Sequence, residues 1–227
     1  MTLVVLKKEM KEYCKSPANI IFSIIMIAIE GVILPIFSGS MYQTLLIALS
    51  SIPVILLGPK AFAGEKEEKT FESTLNLPID IKSIFRAKTL NIFTICVFML
   101  YISYIIGVIV SFMVNGGTNL YLNVYSLICI FILIPLLLLN FCKLSIYFSV
   151  KSKDLASVQG IMMVAMMVYS IISTIPTITI MIQDINIIVI IIVYAIYFAI
   201  NIIIYVIISL VSRKYLDKSF LFTNLRN

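Results

Sequence analysis

The sequence predicts an all-α membrane protein of six transmembrane helices with both termini cytoplasmic, and three observations carry that prediction. Of 227 residues, 61% are hydrophobic and 12% charged, with a mean hydropathy of +1.11, far from the shares of an ordinary soluble domain. Apolar windows of bilayer length recur at 19–37, 43–62, 90–114, 123–148, 157–182 and 187–211. All seventeen basic residues fall on one side of these windows. Lys7, Lys8, Lys11 and Lys15 precede the first; Lys60, Lys66, Lys69, Lys82, Arg86 and Lys88 lie between the second and third. Lys143, Lys151 and Lys153 end the fourth, and Arg213, Lys214, Lys218 and Arg226 follow the sixth. The opposite loops, 38–42, 115–122 and 183–186, hold one charge, Asp184. By the positive-inside rule the basic side is cytoplasmic. The formal charge of +6 thus records topology, and no nucleic-acid partner is expected.

Before the first span, Leu3, Leu6, Met10 and Tyr13 recur at helical spacing, with Lys8, Lys11, Glu12 and Lys15 opposite. Residues 1–16 therefore predict an amphipathic helix lying on the cytoplasmic leaflet. Ser16 and Pro17 suit the cap and first turn of the next helix. The first apolar run is too long for a signal-peptide h-region and is expected to stay in the protein. Pro35, Pro53, Pro135 and Pro176 fall inside spans and predict kinks whose freed carbonyls neighbouring helices must satisfy. The fifth window exceeds a straight crossing, so it either tilts or breaks near 173–176 into a short re-entrant piece. The largest segment outside the membrane is 64–80, and the whole of 1–227 is expected to form a single transmembrane domain.

Among the polar residues within spans, four stand out as candidates for the pathway. Glu30, near the middle of the first, is either a pathway-lining carboxylate or a lock between helices. Asn140, Gln159 and Asn201 suit bonds between helices or the lining of a pathway. With no His, and with Cys14, Cys96, Cys129 and Cys142 scattered, no metal site is expected, and the cysteines read as free thiols. No glycine sits in a phosphate-cradling G-x-x-x-x-G-K-[ST] loop, so this chain is expected to bind no ATP.

The segment 64–80, "GEKEEKTFESTLNLPID", is the one dense polar stretch. Residues 65–77 predict a helix placing Glu65, Glu68 and Glu72 on one face and Phe71, Thr74 and Leu75 on another. Glu65 has Lys69 within pairing distance in such a helix. Pro78 ends it, and Asp80 suits the cap of a helix starting at Ile81. On charge pattern alone the stretch is also compatible with a solvated connector.

"FAGEKEEKTFESTLNLPIDIKSIFRAKTL" resembles the signature of ABC-2 type transporter permeases: an E-K/R-E motif, a T-L-E-like stretch, a Leu-Pro, then a helix with a Lys near its start. Glu65, Lys66, Glu67, Thr70, Glu72, Leu77, Pro78 and Lys88 occupy the matching positions. Lys69 stands where many relatives have Gly, and Phe71 where they have Leu. The six-span plan, the interfacial N-terminal helix and the short "KSKDLAS" turn between spans four and five are similar too. The resemblance implies that 64–80 is a coupling helix docking into a groove on a cytoplasmic ABC ATPase, with Phe71 and Leu75 filling the groove and Glu65, Glu68 and Glu72 at its rim. It further implies two permeases, identical or sister chains, with ATP and Mg held by the two ATPase subunits. The small outer loops suit an exporter of hydrophobic or amphipathic cargo, a drug or antimicrobial peptide, in resistance or self-immunity. An ion-coupled secondary transporter or an ATP-independent immunity protein is the alternative. An intramembrane protease fits poorly, since Glu67-Glu68 lacks the Arg expected four residues on.

Overall fold

The computed structural model describes residues 2–37, 42–71, 81–114, 124–152, 154–181 and 187–215, and among them every element is helical. Helix α1, Thr2–Lys15, leads into α2, Pro17–Phe37. The second span comprises α3, Tyr42–Ser50, and α4, Ile52–Pro59, which runs on through a wide π-helical turn, Lys60–Gly64, to Glu67. Then come α5, Ile81–Val114; α6, Ile134–Lys151, entered through a π turn at Cys129–Leu133; α7, Leu155–Met181; and α8, Ile187–Tyr215. Among the described residues, five segments are long and apolar enough to cross a membrane, and Leu155–Ser170 is a shorter apolar helix. The backbone of α7 nevertheless continues unbroken to Met181, without the break considered near 173–176.

Helices α5 and α6 stand at the centre. α5 packs against α1, α2, α4 and α6, while α6 also meets α7 and α8. The buried cluster runs through Leu46, Val54, Phe62, Leu100, Leu138, Ile146 and Met162. By contrast α2 and α8 are peripheral, and Ile24, Ile191 and Ile203 lie exposed on them. Lipid is as apolar as these side chains, so their exposure costs nothing in a bilayer and the helices associate through close packing and polar contacts. Gly58 of α4 allows such contact: a Cβ there would lie 2.0 Å from Ser145 Oγ and 2.6 Å from its Cβ.

The prolines do what their chemistry requires. Pro35 and Pro135 each follow a π-helical stretch, Ile29–Ile33 and Cys129–Leu133, by two residues. A proline ring collides with the carbonyl four residues back. Widening the helix there moves that carbonyl aside, and the residue before each proline bonds five residues back instead, Leu34 to Ile29 and Ile134 to Cys129. Pro53 begins a new helix after a turn at Ser51. The hydroxyls of Ser50 and Ser51 donate to the carbonyls of Ile47 and Ala48 at 3.1 and 2.7 Å, as expected where water is absent.

Ser16 has the extended backbone of an N-cap and Pro17 starts α2, but the Ser16 hydroxyl makes no capping bond. α1 is fixed in another way: Tyr13 Oη and Ser23 Oγ share a hydrogen bond of 2.6 Å that ties it to α2.

Candidate functional site

The end of the second span gathers the polar side chains that the rest of the chain avoids. Successive residues on a helix point about 100° apart, so Glu65, Lys66 and Glu67 project in three directions. Each meets a different neighbour.

Glu65 turns inward. Its Oε1 lies 2.5 Å from Lys88 Nζ on α5. That ammonium is only 3% exposed; it also donates to Ala61 O at 2.6 Å, lies 3.6 Å from Glu9 Oε1 on α1, and sits 4.9 Å from the Phe62 ring centroid. A buried cation needs this many partners. Removing one member of such a pair leaves the other charge uncompensated, at a cost of about 3–5 kcal/mol.

Lys66 reaches the C-terminal end of α6, donating to the carbonyls of Ser149, Val150 and Ser152 at 3.4, 2.5 and 2.8 Å. Those carbonyls have no partner within their own helix, and the helix dipole there favours a positive charge. Glu67 does the converse at the next helix. Its Oε1 accepts from the backbone N–H of Leu155, the first residue of α7, at 2.7 Å, where the dipole favours an anion. Thus Lys66 caps the helix that arrives at the fourth-to-fifth connection, and Glu67 caps the one that leaves it. Each charge has the sign its helix end requires.

Ser149 sets the height of this arrangement. Its hydroxyl accepts from Phe62 N and Ala63 N at 3.0 and 2.7 Å and donates to Pro59 O at 2.8 Å. It therefore stands inside the widened turn and bonds the groups that the π geometry leaves open.

Beyond Glu67 the structure departs from the continuous helix expected over 65–77. The chain turns at Glu68 and Lys69. Thr70 N bonds Glu65 O at 2.9 Å and Lys69 N bonds Lys66 O at 3.1 Å, with Lys69 at φ 58°. That pair of bonds with a left-handed residue is a Schellman ending. Glycine takes such a left-handed position most readily, and here Lys69 occupies it. Because the helix stops, Glu65 and Glu68 do not form the expected acidic face, and Glu65 pairs with Lys88 rather than Lys69.

Phe71 also departs from expectation. It is 2% exposed, meets the Phe62 ring edge-on at a centroid distance of 5.8 Å and lies 5.5 Å beneath Lys66 Nζ. It fills this chain's own core and is not presented to a partner. Glu67, Glu68, Lys69 and Thr70 are exposed. Glu72, Leu75, Leu77 and Pro78, with Thr74 and Asp80, lie outside the described residues.

Of the polar residues within spans, Asn140 and Asn201 come together. Asn140 Nδ2 donates to Asn201 O and Oδ1 at 3.1 and 3.2 Å, Asn201 Nδ2 donates to Tyr197 O at 2.9 Å, and Tyr169 Oη donates to Asn201 Oδ1. This cluster joins α6, α7 and α8. Gln159 is half-buried and stands apart from it. Glu30 is 1% exposed within the π turn of α2 and faces α5 at Ser103, separate from the other three. The four residues do not line one common cavity.

Sequence reasoning missed Ser149 and the capping roles of Lys66 and Glu67. The inward position of Lys88 carried a signal: Ile84, Lys88, Ile92, Ile95 and Met99 recur at helical spacing, and all are buried.

Comparison with curated proteins and with solved structures gave no match. A family model, described as ABC-2 family transporter protein, matches residues 43–184. That stretch exceeds half of the chain and contains every residue of the cluster from Pro59 to Leu155. This multi-pass membrane protein therefore belongs to the ABC-2 transporter family, whose members are the membrane subunits of transporters.

Proposed function

We propose that the chain is the permease of an ATP-driven exporter, with six spans, both termini in the cytoplasm, and a separate ABC ATPase as its motor. Two permeases, identical or sister chains, pair around one pathway, and two ATPase subunits bind ATP and Mg. The cargo is hydrophobic or amphipathic, in keeping with short outer loops, and export of a drug or antimicrobial peptide would give resistance or self-immunity.

The observation that supports this reading best is the three-way anchoring of Glu65, Lys66 and Glu67. A turn that merely connected two spans would need no bonds to α5, α6 and α7. A turn that receives a push must pass it to several helices at once, and rigid polar contacts between element ends do that. The docking surface then begins at the exposed Glu67–Thr70 turn and continues into 72–80, with Phe71 acting as the anchor of the turn beneath it.

The test is recovery of the tagged chain from its native membrane, scored for a co-purifying protein with ATPase activity. Glu68→Arg with Lys69→Glu exchanges charges on the exposed turn and keeps the net charge, and it is expected to lower ATPase recovery at least tenfold. Lys66→Gln is expected to keep the ATPase bound while ATP turnover no longer moves cargo in proteoliposomes. If no ATPase accompanies the wild type, or if cargo movement follows an ion gradient and ignores ATP, the ion-coupled reading replaces this one.

A further inference from the structure

A cavity of about 840 Å³ opens between α5, α6 and α8 on the basic side of the molecule. Its volume falls within the range of ligand pockets. Three helices give it most of its wall, Arg86, Thr89 and Phe93 from α5, Leu139 and Lys143 from α6, and Tyr205 and Ser212 from α8, and Thr2 at the start of α1 also lines it. Lys82 stands at its rim, one helical turn before Arg86, and none of its described lining residues is acidic.

The lining is graded along its depth. Lys82 and Arg86 occupy the N-terminal end of α5 and are exposed, whereas Thr89 is buried further along and Phe93 lies deeper still. On α6 the same order recurs, with Lys143 nearer the polar end and Leu139 one turn deeper. Lys143 is held in place, its Nζ 3.4 Å from the Tyr205 ring centroid. The cavity thus offers positive charge at the level of a headgroup, and apolar wall at the level of an acyl chain; the Thr89 and Ser212 hydroxyls donate to Phe85 O and Ser209 O of their own helices. Nothing in the ATPase-coupling turn or the Asn140–Asn201 cluster uses it.

We infer that this cavity binds an anionic phospholipid of the leaflet on the basic side, its phosphate held by Arg86 and Lys143 and an acyl chain lying along Phe93 and Leu139. Guanidinium and ammonium groups are the usual phosphate donors. Anionic lipids concentrate in the cytoplasmic leaflet, where basic pockets between helices take up their headgroups. A zwitterionic lipid lacks the net charge that two cations without a lining carboxylate require. The choice of leaflet rests on the proposed orientation, but the chemistry of the cavity does not.

The experiment uses the purified full chain in a neutral detergent, with unfolding followed by a thiol-reactive fluorophore. Cys14 is exposed and sets the baseline, while Cys96, Cys129 and Cys142 are buried and report opening. Phosphatidylglycerol is expected to raise the unfolding midpoint by roughly 5 °C more than phosphatidylcholine with the same acyl chains. Arg86→Gln with Lys143→Gln is expected to abolish that difference, and Arg86→Lys to retain part of it. Lys7→Gln with Lys11→Gln, which removes the same charge from the exposed face of α1, is expected to leave it intact. Equal midpoints in the two lipids, an equal rise with inorganic phosphate alone, or loss of the rise in the Lys7, Lys11 variant would each overturn the site. None of these readouts involves an ATPase or cargo, so this assignment stands or falls independently of the transport reading.

Discussion

Lys69 carries a cost that a single atom group explains. An L-residue at φ 58° brings its Cβ close to the following carbonyl, a strain of about 1–2 kcal/mol that glycine does not suffer. Lys69→Gly is therefore expected to stabilise the chain by about 1 kcal/mol, since Lys69 is exposed and its side chain fills no space in the core. The midpoint of thermal unfolding checks it, and a fall would mean that the left-handed turn does not persist in the membrane. At this scale the sequence was partly legible. The density of charge at 64–80 drew attention to Glu65, Lys66, Glu67 and Lys88, whose side chains tie the end of the second span to α5, α6 and α7. What each one touches was not legible, because Ser149, Val150 and Leu155 come from more than eighty residues away. A helical wheel sees only neighbours in sequence. It therefore paired Glu65 with Lys69 and turned Phe71 outward, whereas tertiary contacts took both inside.

Among elements, α4 and α6 approach each other closely. Gly58 fits against Ser145 with no room for a further carbon, and one turn along, the Ser149 hydroxyl enters the widened turn at Lys60–Gly64. Such small-residue contacts are how helices associate where lipid offers no hydrophobic contrast. Gly58→Val is expected to lower the unfolding midpoint, as overpacking costs about 1–3 kcal/mol, and to weaken the Lys66 bonds by pushing α6 away. Ser145→Gly in the same chain is expected to recover part of the loss; no recovery would show that the clash lies elsewhere. Pro35, Pro53 and Pro135 marked where the helices depart from regular α geometry because their missing N–H is a property of the residue itself, whereas α7 runs on through Pro176. The π turns that accommodate Pro35 and Pro135 were not foreseen, since the choice between a bend and a widened turn depends on what packs alongside.

For the whole molecule, charge is the signal behind the proposed topology, since under the six-span reading all seventeen basic side chains fall on one face of the bilayer. The helical class followed from composition, since hydrocarbon leaves the backbone few ways to satisfy itself. The proposed orientation makes Cys14 an internal probe: it lies on α1, is exposed, and is the one exposed thiol of the four. A membrane-impermeant maleimide is expected to label it in inside-out vesicles and to spare it in intact cells; labelling of intact cells would reverse the topology. Finally, α5 is 34 residues long, about 51 Å, against a hydrocarbon thickness of about 30 Å. A stiff rod of that length held in a slab is a lever with its fulcrum at the slab's edge. Its arm beyond the slab is about 20 Å and its embedded arm about 30 Å, so if a push on the turn tilts α5 as one body, a sideways displacement at the Lys82 end returns at the Val114 end reversed in direction and half as large again.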